Sequence, residues 1–140
     1  MIFTSSWPVL QRADFYGELP VCPIRISRGA PKYWHVAHSF PYIEPLAPAG
    51  WLFGVKDPER FDRAYRRQLH VLGLERVREL IGKAVGDDPR PPCLMCFERD
   101  WRDCHRGQIA AVWQRWTGEP IYDLTWLVSR ESIVLVSDRT

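Results

Sequence analysis

The chain predicts an α/β fold: a single three-layer domain with a mostly parallel central sheet and helices on its faces. Three observations carry this expectation. Short apolar runs of strand length recur along the chain, at 2–7, 21–27, 93–97, 120–124 and 132–137. Between them lie longer segments whose apolar residues return every three or four positions, as on one face of a helix. The two patterns alternate, and strands joined through helices lie parallel, because each helix carries the chain back to the starting edge.

The elements follow in order. Ile2 to Trp7 reads as a first strand, with Thr4, Ser5 and Ser6 near its end. Leu10 to Leu19 is a short amphipathic stretch, weakened as a helix by Asp14 and Gly17. Val21 to Ser27 alternates around Ile24 and Ile26 and ends in the turn Ser27-Arg28-Gly29. Ala30 to Gly50 is a loop rich in proline and aromatic residues, including Tyr33, Trp34, Phe40 and Tyr42. A loop of that length in a small domain usually has a task of its own. Asp57-Pro58 opens a helix as N-cap and first helical residue, and Phe61, Tyr65, Leu69 and Leu72 form its apolar stripe. Gly73 ends or kinks it. Leu74, Val77, Ile81 and Ala84 mark a second helix that stops near Gly86. Cys93 to Phe97 is a buried strand, and Glu98 follows it. Ile109, Val112, Trp113 and Trp116 define a helix preceded by Asp103 and closed by Gly118 at C′. Pro120 to Leu124 and Ser132 to Ser137 are the last strands, the final one at an edge.

At 140 residues the chain forms one domain, with 125–140 as a C-terminal extension. The net charge of +2 is too small to indicate nucleic acid by itself. Arginine dominates the basic residues, which fits either bidentate recognition of anions or a GC-rich genome. Residues 1–10 lack the basic start and apolar run of a signal peptide, and no stretch approaches membrane-spanning length. The expected location is therefore the cytoplasm, with the four cysteines as reduced thiols.

The richest chemistry lies between Pro92 and Gly107, PCLMCFERDWRDCHRG. Glu98 follows the strand, and Cys104, His105 and Arg106 fall on the first turn of the next helix. First-turn N–H groups lack internal partners and attract anions. Ligands of parallel sheets sit beyond the carboxyl ends of the strands. That rule brings Ser27, Arg28, Gly29, Glu98, Cys104, His105 and Arg106 to one edge. Arg28 and Arg106 would then make an anion pocket suited to phosphate, or one of them binds Glu98 or a backbone carbonyl. Glu98 is either a proton carrier or a partner holding an arginine. Cys104 is either a thiol of lowered pKa, suited to nucleophilic attack, or packing beneath the helix. Zinc would need Cys93, Cys96, Cys104 and His105. Positions 93 and 96 point to opposite faces of a strand, so no metal and no cofactor is expected. His35 and His38 have no acidic or cysteine partner nearby in sequence. The loop aromatics either stack bases or form a small core of their own. The arginines at 60, 63, 66 and 67 are a solvated helix face or a surface tracking phosphates.

The string LMCFE followed by CHR at a helix start resembles the family catalogued as domain of unknown function 488. ISRGAP at 26–31, LFG at 52–54, LGLERVREL at 72–80 and WTGEPIYDL at 116–124 follow in the order seen in its phage and bacterial members. The resemblance covers about residues 2–124. It implies an α/β fold and a site at Ser27, Arg28, Gly29, Cys96, Glu98, Cys104, His105 and Arg106, and no particular reaction. Gly107 departs from the Ser or Thr expected there, and close approach of a ligand is one reason for a glycine. The expected function is an enzyme acting on a phosphate-bearing substrate, a nucleotide or nucleic acid. The alternatives are a non-catalytic nucleotide or nucleic-acid binder and a small interaction protein whose charged cluster is structural.

Overall fold

The computed structural model describes residues 1–16, 19–98, 100–126 and 132–135. The chain runs β1 (Phe3–Ser6), α1 (Trp7–Tyr16), β2 (Cys22–Arg25), α2 (Pro58–Leu72), α3 (Leu74–Val85), β3 (Pro92–Cys96), α4 (His105–Thr117), β4 (Tyr122–Trp126) and β5 (Ser132–Leu135). The sheet order is β2-β3-β1-β4-β5. The first four strands are parallel, and β5 pairs antiparallel with β4 at the edge. This is the predicted α/β architecture. No helix among the described residues is long and apolar enough to cross a membrane.

Helices α2, α3 and α4 cover one face of the sheet, and their core gathers Ile24, Tyr65, Leu69, Val77, Leu94 and Ile109. Helix α1 covers the other face over Cys93, Met95 and Leu124. Adjacent β3 residues therefore serve different layers. Each fully buried Leu, Ile or Met side chain contributes roughly 1.5–3 kcal/mol of transfer free energy.

Local chemistry explains the boundaries. The first strand stops at Ser6 rather than Trp7 because Pro8 has no N–H to give a sheet ladder, whereas a first helical turn needs none. Pro120 displaces β4 two residues beyond the predicted start for the same reason. Asp57 caps α2 by accepting the N–H of Glu59 at 3.0 Å. Gly73 separates α2 from α3 with φ +82° and ψ 162°, a conformation that essentially only glycine adopts.

The proline-rich loop folds into 3-10 turns at His35–Ser39 and Glu44–Leu46, with a third at Gly50–Gly54. Its first half is a small aromatic core. Trp34 packs edge-on to Trp7 and Phe40, at 6.2 and 5.5 Å between ring centroids, and Phe40 stacks on Trp7. Trp34 and Phe40 are thereby used internally, as the own-core reading of the loop aromatics expects, rather than for base stacking. Tyr42 lies under the Arg25 guanidinium, 4.1 Å from its ring centroid. The second half of the loop is fastened to α2. Tyr65 donates its hydroxyl to the Leu46 carbonyl at 2.6 Å, and Gln68 donates to the carbonyls of Pro45 and Ala47. That fastening sets the Gly50–Gly54 turn over the carboxyl ends of β2 and β3.

Candidate functional site

Because β2 and β3 are parallel neighbours, the segments leaving them emerge side by side. Ser27-Arg28-Gly29 follows β2, Phe97-Glu98 follows β3, and α4 starts beside both. A cavity of about 660 Å³ opens between these segments, the Gly50–Gly54 turn and the start of α2. Its wall carries the cations Arg28, Lys56 and Arg102 and the carboxylates Asp62, Glu98 and Asp103. It also carries three phenyl rings, Phe53, Phe61 and Phe97, with Phe53 and Phe97 62% and 42% exposed. Exposed aromatic faces beside charged groups suit a flat polar ligand better than a bare inorganic ion.

Of the residues expected at the site, Ser27, Arg28, Gly29, Glu98, Cys104 and His105 line this cavity. The Ser27 hydroxyl donates to the Gly29 carbonyl at 2.7 Å and accepts from Trp7 Nε1 at 3.4 Å, so it shapes the loop. At Gly29 a Cβ would stand 3.8 Å from the Phe97 ring, an ordinary contact. Arg28 is exposed, and its Nε donates to the Pro48 carbonyl at 2.9 Å. Its guanidinium carbon lies 5.9 Å from the Phe53 ring centroid. No carboxylate among the described residues pairs with it. Glu98 is exposed at the cavity.

Arg106 is a correction. It is fully buried, with Nε donating to Asp123 Oδ1 at 2.8 Å and Nη2 to Oδ2 at 3.4 Å. Nη1 donates to Cys96 Sγ at 3.1 Å and to the Glu98 carbonyl. Thr4 completes the group by donating to Asp123 Oδ1 at 2.6 Å. A charge held inside the protein in this way needs its own partner, so Arg106 does not meet a ligand anion and instead ties α4 to β4 and to the end of β3. Asp123, the partner that sequence reasoning missed, had one signal: a carboxylate placed in an apolar strand.

The cysteines are a second correction. Cys104 is the N-cap of α4, 5% exposed, and its sulfur is bonded to that of Cys96. Of the two readings of Cys104, the structure matches packing beneath the helix, and the expected reduced state of all four cysteines gives way to this pair. Cys22 and Cys93 are free and buried, and burial pushes both thiols up. Cys93 packs on the α1 face, away from Cys96.

His105 has a defined tautomer. Its Nε2 lies 2.7 Å from the Ile26 carbonyl oxygen, which only accepts, so Nε2 carries the proton. Nδ1 is then a lone pair, 3.7 Å from Cys104 Sγ. The Tyr65 ring stands edge-on at 5.3 Å. Burial lowers the imidazole to about 4, opposed by the Ile26 hydrogen bond and aided by the Arg106 charge. The ring is neutral at neutral pH and presents an acceptor to sulfur, which suits it poorly to moving protons for a ligand in the cavity.

Gly107 answers to the protein rather than to a ligand. A Cβ there would lie 2.5 Å from the Trp101 carbonyl oxygen and 3.0 Å from its ring. The glycine lets the Trp101–Asp103 turn fold against the first turn of α4. Comparison with family models, with curated proteins and with solved structures finds no match to this chain.

Proposed function

We propose that the cavity binds a phosphate-bearing substrate, a nucleotide or the end of a nucleic-acid strand, and that the protein is an enzyme acting on it. The observation that carries this reading is Arg28. It is an exposed guanidinium at the cavity with no carboxylate partner among the described residues, and it is steadied by the Pro48 carbonyl. Arg28 and Lys56 hold phosphate oxygens, and the start of α4 adds its backbone field. Phe53 and Phe97 flank the base. Glu98 is the proton-transfer group, because His105 is engaged with Ile26 and the sulfurs. The likeness to domain of unknown function 488 belongs to this reading, since Cys96, Glu98, Cys104, His105 and Arg106, which carry it, meet at the β3–α4 junction.

A strand end is favoured over a free nucleotide by a second groove. Exposed Arg60, Arg63 and Arg67 on α2 line it with Trp51, which is 68% exposed. Trp51 and Phe53 belong to the same turn, so a strand laid along the arginine row leads over that turn into the cavity. Rows of guanidiniums with an aromatic face are what single strands bind. The test is binding of 5′- and 3′-phosphorylated oligonucleotides and of mononucleotides. Replacing Arg60, Arg63 and Arg67 by Gln should weaken oligonucleotide binding tenfold or more and leave mononucleotide binding intact. Glu98→Gln should bind as well as the wild type and lose turnover. Wild-type protein that retains no oligonucleotide or nucleotide at low salt removes the reading. Binding without turnover of any phosphorylated end leaves the non-catalytic binder.

A further inference from the structure

The β3–α4 junction contains a donor set that the proposed reaction does not use. Cys96 Sγ, Cys104 Sγ and a His105 ring nitrogen all lie within 4.8 Å of one another. The imidazole already has the posture of a metal ligand: Nε2–H is anchored on a backbone carbonyl and the Nδ1 lone pair faces the sulfurs. The surroundings of Cys96 suit a thiolate. Arg106 Nη1 donates to its sulfur at 3.1 Å, and a guanidinium N–H finds a far better acceptor in a thiolate than in a bridged sulfur. Ser6 pairs in register with Cys96, and its hydroxyl is buried with no hydrogen-bond partner among the described residues.

Charge gives an independent argument. Arg106 is neutralised by Asp123, so two thiolates here would bury two uncompensated negative charges. A divalent cation cancels them, and burying charge without such compensation is costly. The Cα atoms of the two cysteines are 7.1 Å apart, beyond the roughly 4.4–6.8 Å common for disulfides and compatible with two thiolates on one ion.

We propose that in the reduced protein Cys96 Sγ, Cys104 Sγ and His105 Nδ1 bind one borderline-soft divalent cation, zinc in preference, with a fourth position open to the cavity. Two sulfurs and an imidazole suit zinc, and three protein ligands with one open position are the arrangement of catalytic rather than structural zinc. Cys104 and His105 line the cavity, so a ligand bound there reaches the open position. This reverses the expectation of no metal, and it does so without Cys93, the residue that made the sequence spacing unworkable. The bonded sulfur pair and the ion are alternatives, since a bridged sulfur has no thiolate charge to give. The site stands whether or not the cavity takes a nucleotide.

The test begins with the full chain treated with a water-soluble phosphine. The phosphine is oxidised to its oxide, with water supplying the oxygen and the two thiol protons. After its removal under inert gas, Co²⁺ is titrated as a probe. One equivalent should bind per chain with sulfur-to-cobalt charge-transfer absorption, and Zn²⁺ should displace it. Cys96→Ser and Cys104→Ser should each weaken binding at least tenfold, while Cys22→Ser leaves it unchanged. Reduced, folded wild type that binds no stoichiometric cobalt overturns the proposal, as does a charge-transfer band that survives both substitutions at the site. If the serine variants fail to fold, alkylation of the wild type decides. Zn²⁺ should slow modification of Cys96 and Cys104 at least tenfold without affecting Cys22, and equal rates with and without zinc overturn the proposal.

Discussion

His105 shows how one hydrogen bond assigns a role. Its ring sits between the Ile26 carbonyl and the Cys104 sulfur with the Tyr65 ring packed against it, and this environment disfavours the charged form. The consequence for stability has a definite sign. The folded imidazole titrates near 4, and the unfolded one near the usual value of about 6.5. Between those values the unfolded chain binds a proton that the folded chain refuses. The stabilisation is therefore fully present above pH 6.5 and is lost as pH falls from 6.5 to 4. Urea unfolding in the presence of EDTA should show a midpoint that falls across this window in the wild type. His105→Gln, which keeps a donor for Ile26, should show a shallower fall. Parallel slopes in the two proteins would contradict the assignment. Arg106 marks the limit of reading residues from sequence. Its type suggested a ligand anion, but its partner Asp123 lies 17 positions away on β4, and the packing of α4 on the sheet that joins them is not a local property.

At the scale of elements, the sequence was most legible where the controlling interaction is local. Asp57-Pro58 announced α2, the stripe Phe61, Tyr65, Leu69 and Leu72 faced the core, and Gly118 closed α4 in the left-handed conformation. Parallel pairing followed from the alternation of patterns, and with it the meeting of the Ser27–Gly29 turn and the β3–α4 junction. Less legible were the details that depend on how two loops touch. The Cys96–Cys104 pairing depends on the path of 97–103, and the cavity's phenyl rings depend on how Gln68 and Tyr65 fasten the preceding loop. Gly107 belongs to this class. Local propensity favours Ala over Gly in a helix by about 1 kcal/mol. The contact with the Trp101 carbonyl opposes it, because backbone cannot yield as a side chain end can. Overpacking of this kind costs roughly 1–3 kcal/mol, so the contact should win. Gly107→Ala is expected to lower the urea midpoint and to weaken any ligand that depends on the Trp101–Asp103 turn. An unchanged or raised midpoint would mean that the turn moves aside freely.

At the scale of the whole molecule, the fold brings two segments some eighty residues apart to one crevice. Each contributes what the other lacks. The turn after β2 supplies an exposed cation, and the β3–α4 junction supplies a carboxylate, an imidazole and two sulfurs. The three helices on one face and α1 on the other cover the sheet and leave its carboxyl edge as the place where Arg28, Glu98, Cys104 and His105 line the cavity, with Cys96 fully buried. The Arg28 guanidinium is the group on which the phosphate reading turns, and its substitution is the most direct test. Binding of a 5′-phosphorylated oligonucleotide and of the same strand with a free hydroxyl end should be compared in wild type and Arg28→Gln. The account predicts that the wild type prefers the phosphorylated end by tenfold or more and that Arg28→Gln erases this preference while keeping its fold. Equal affinity of the wild type for both ends, or a preference that survives in Arg28→Gln, would contradict it.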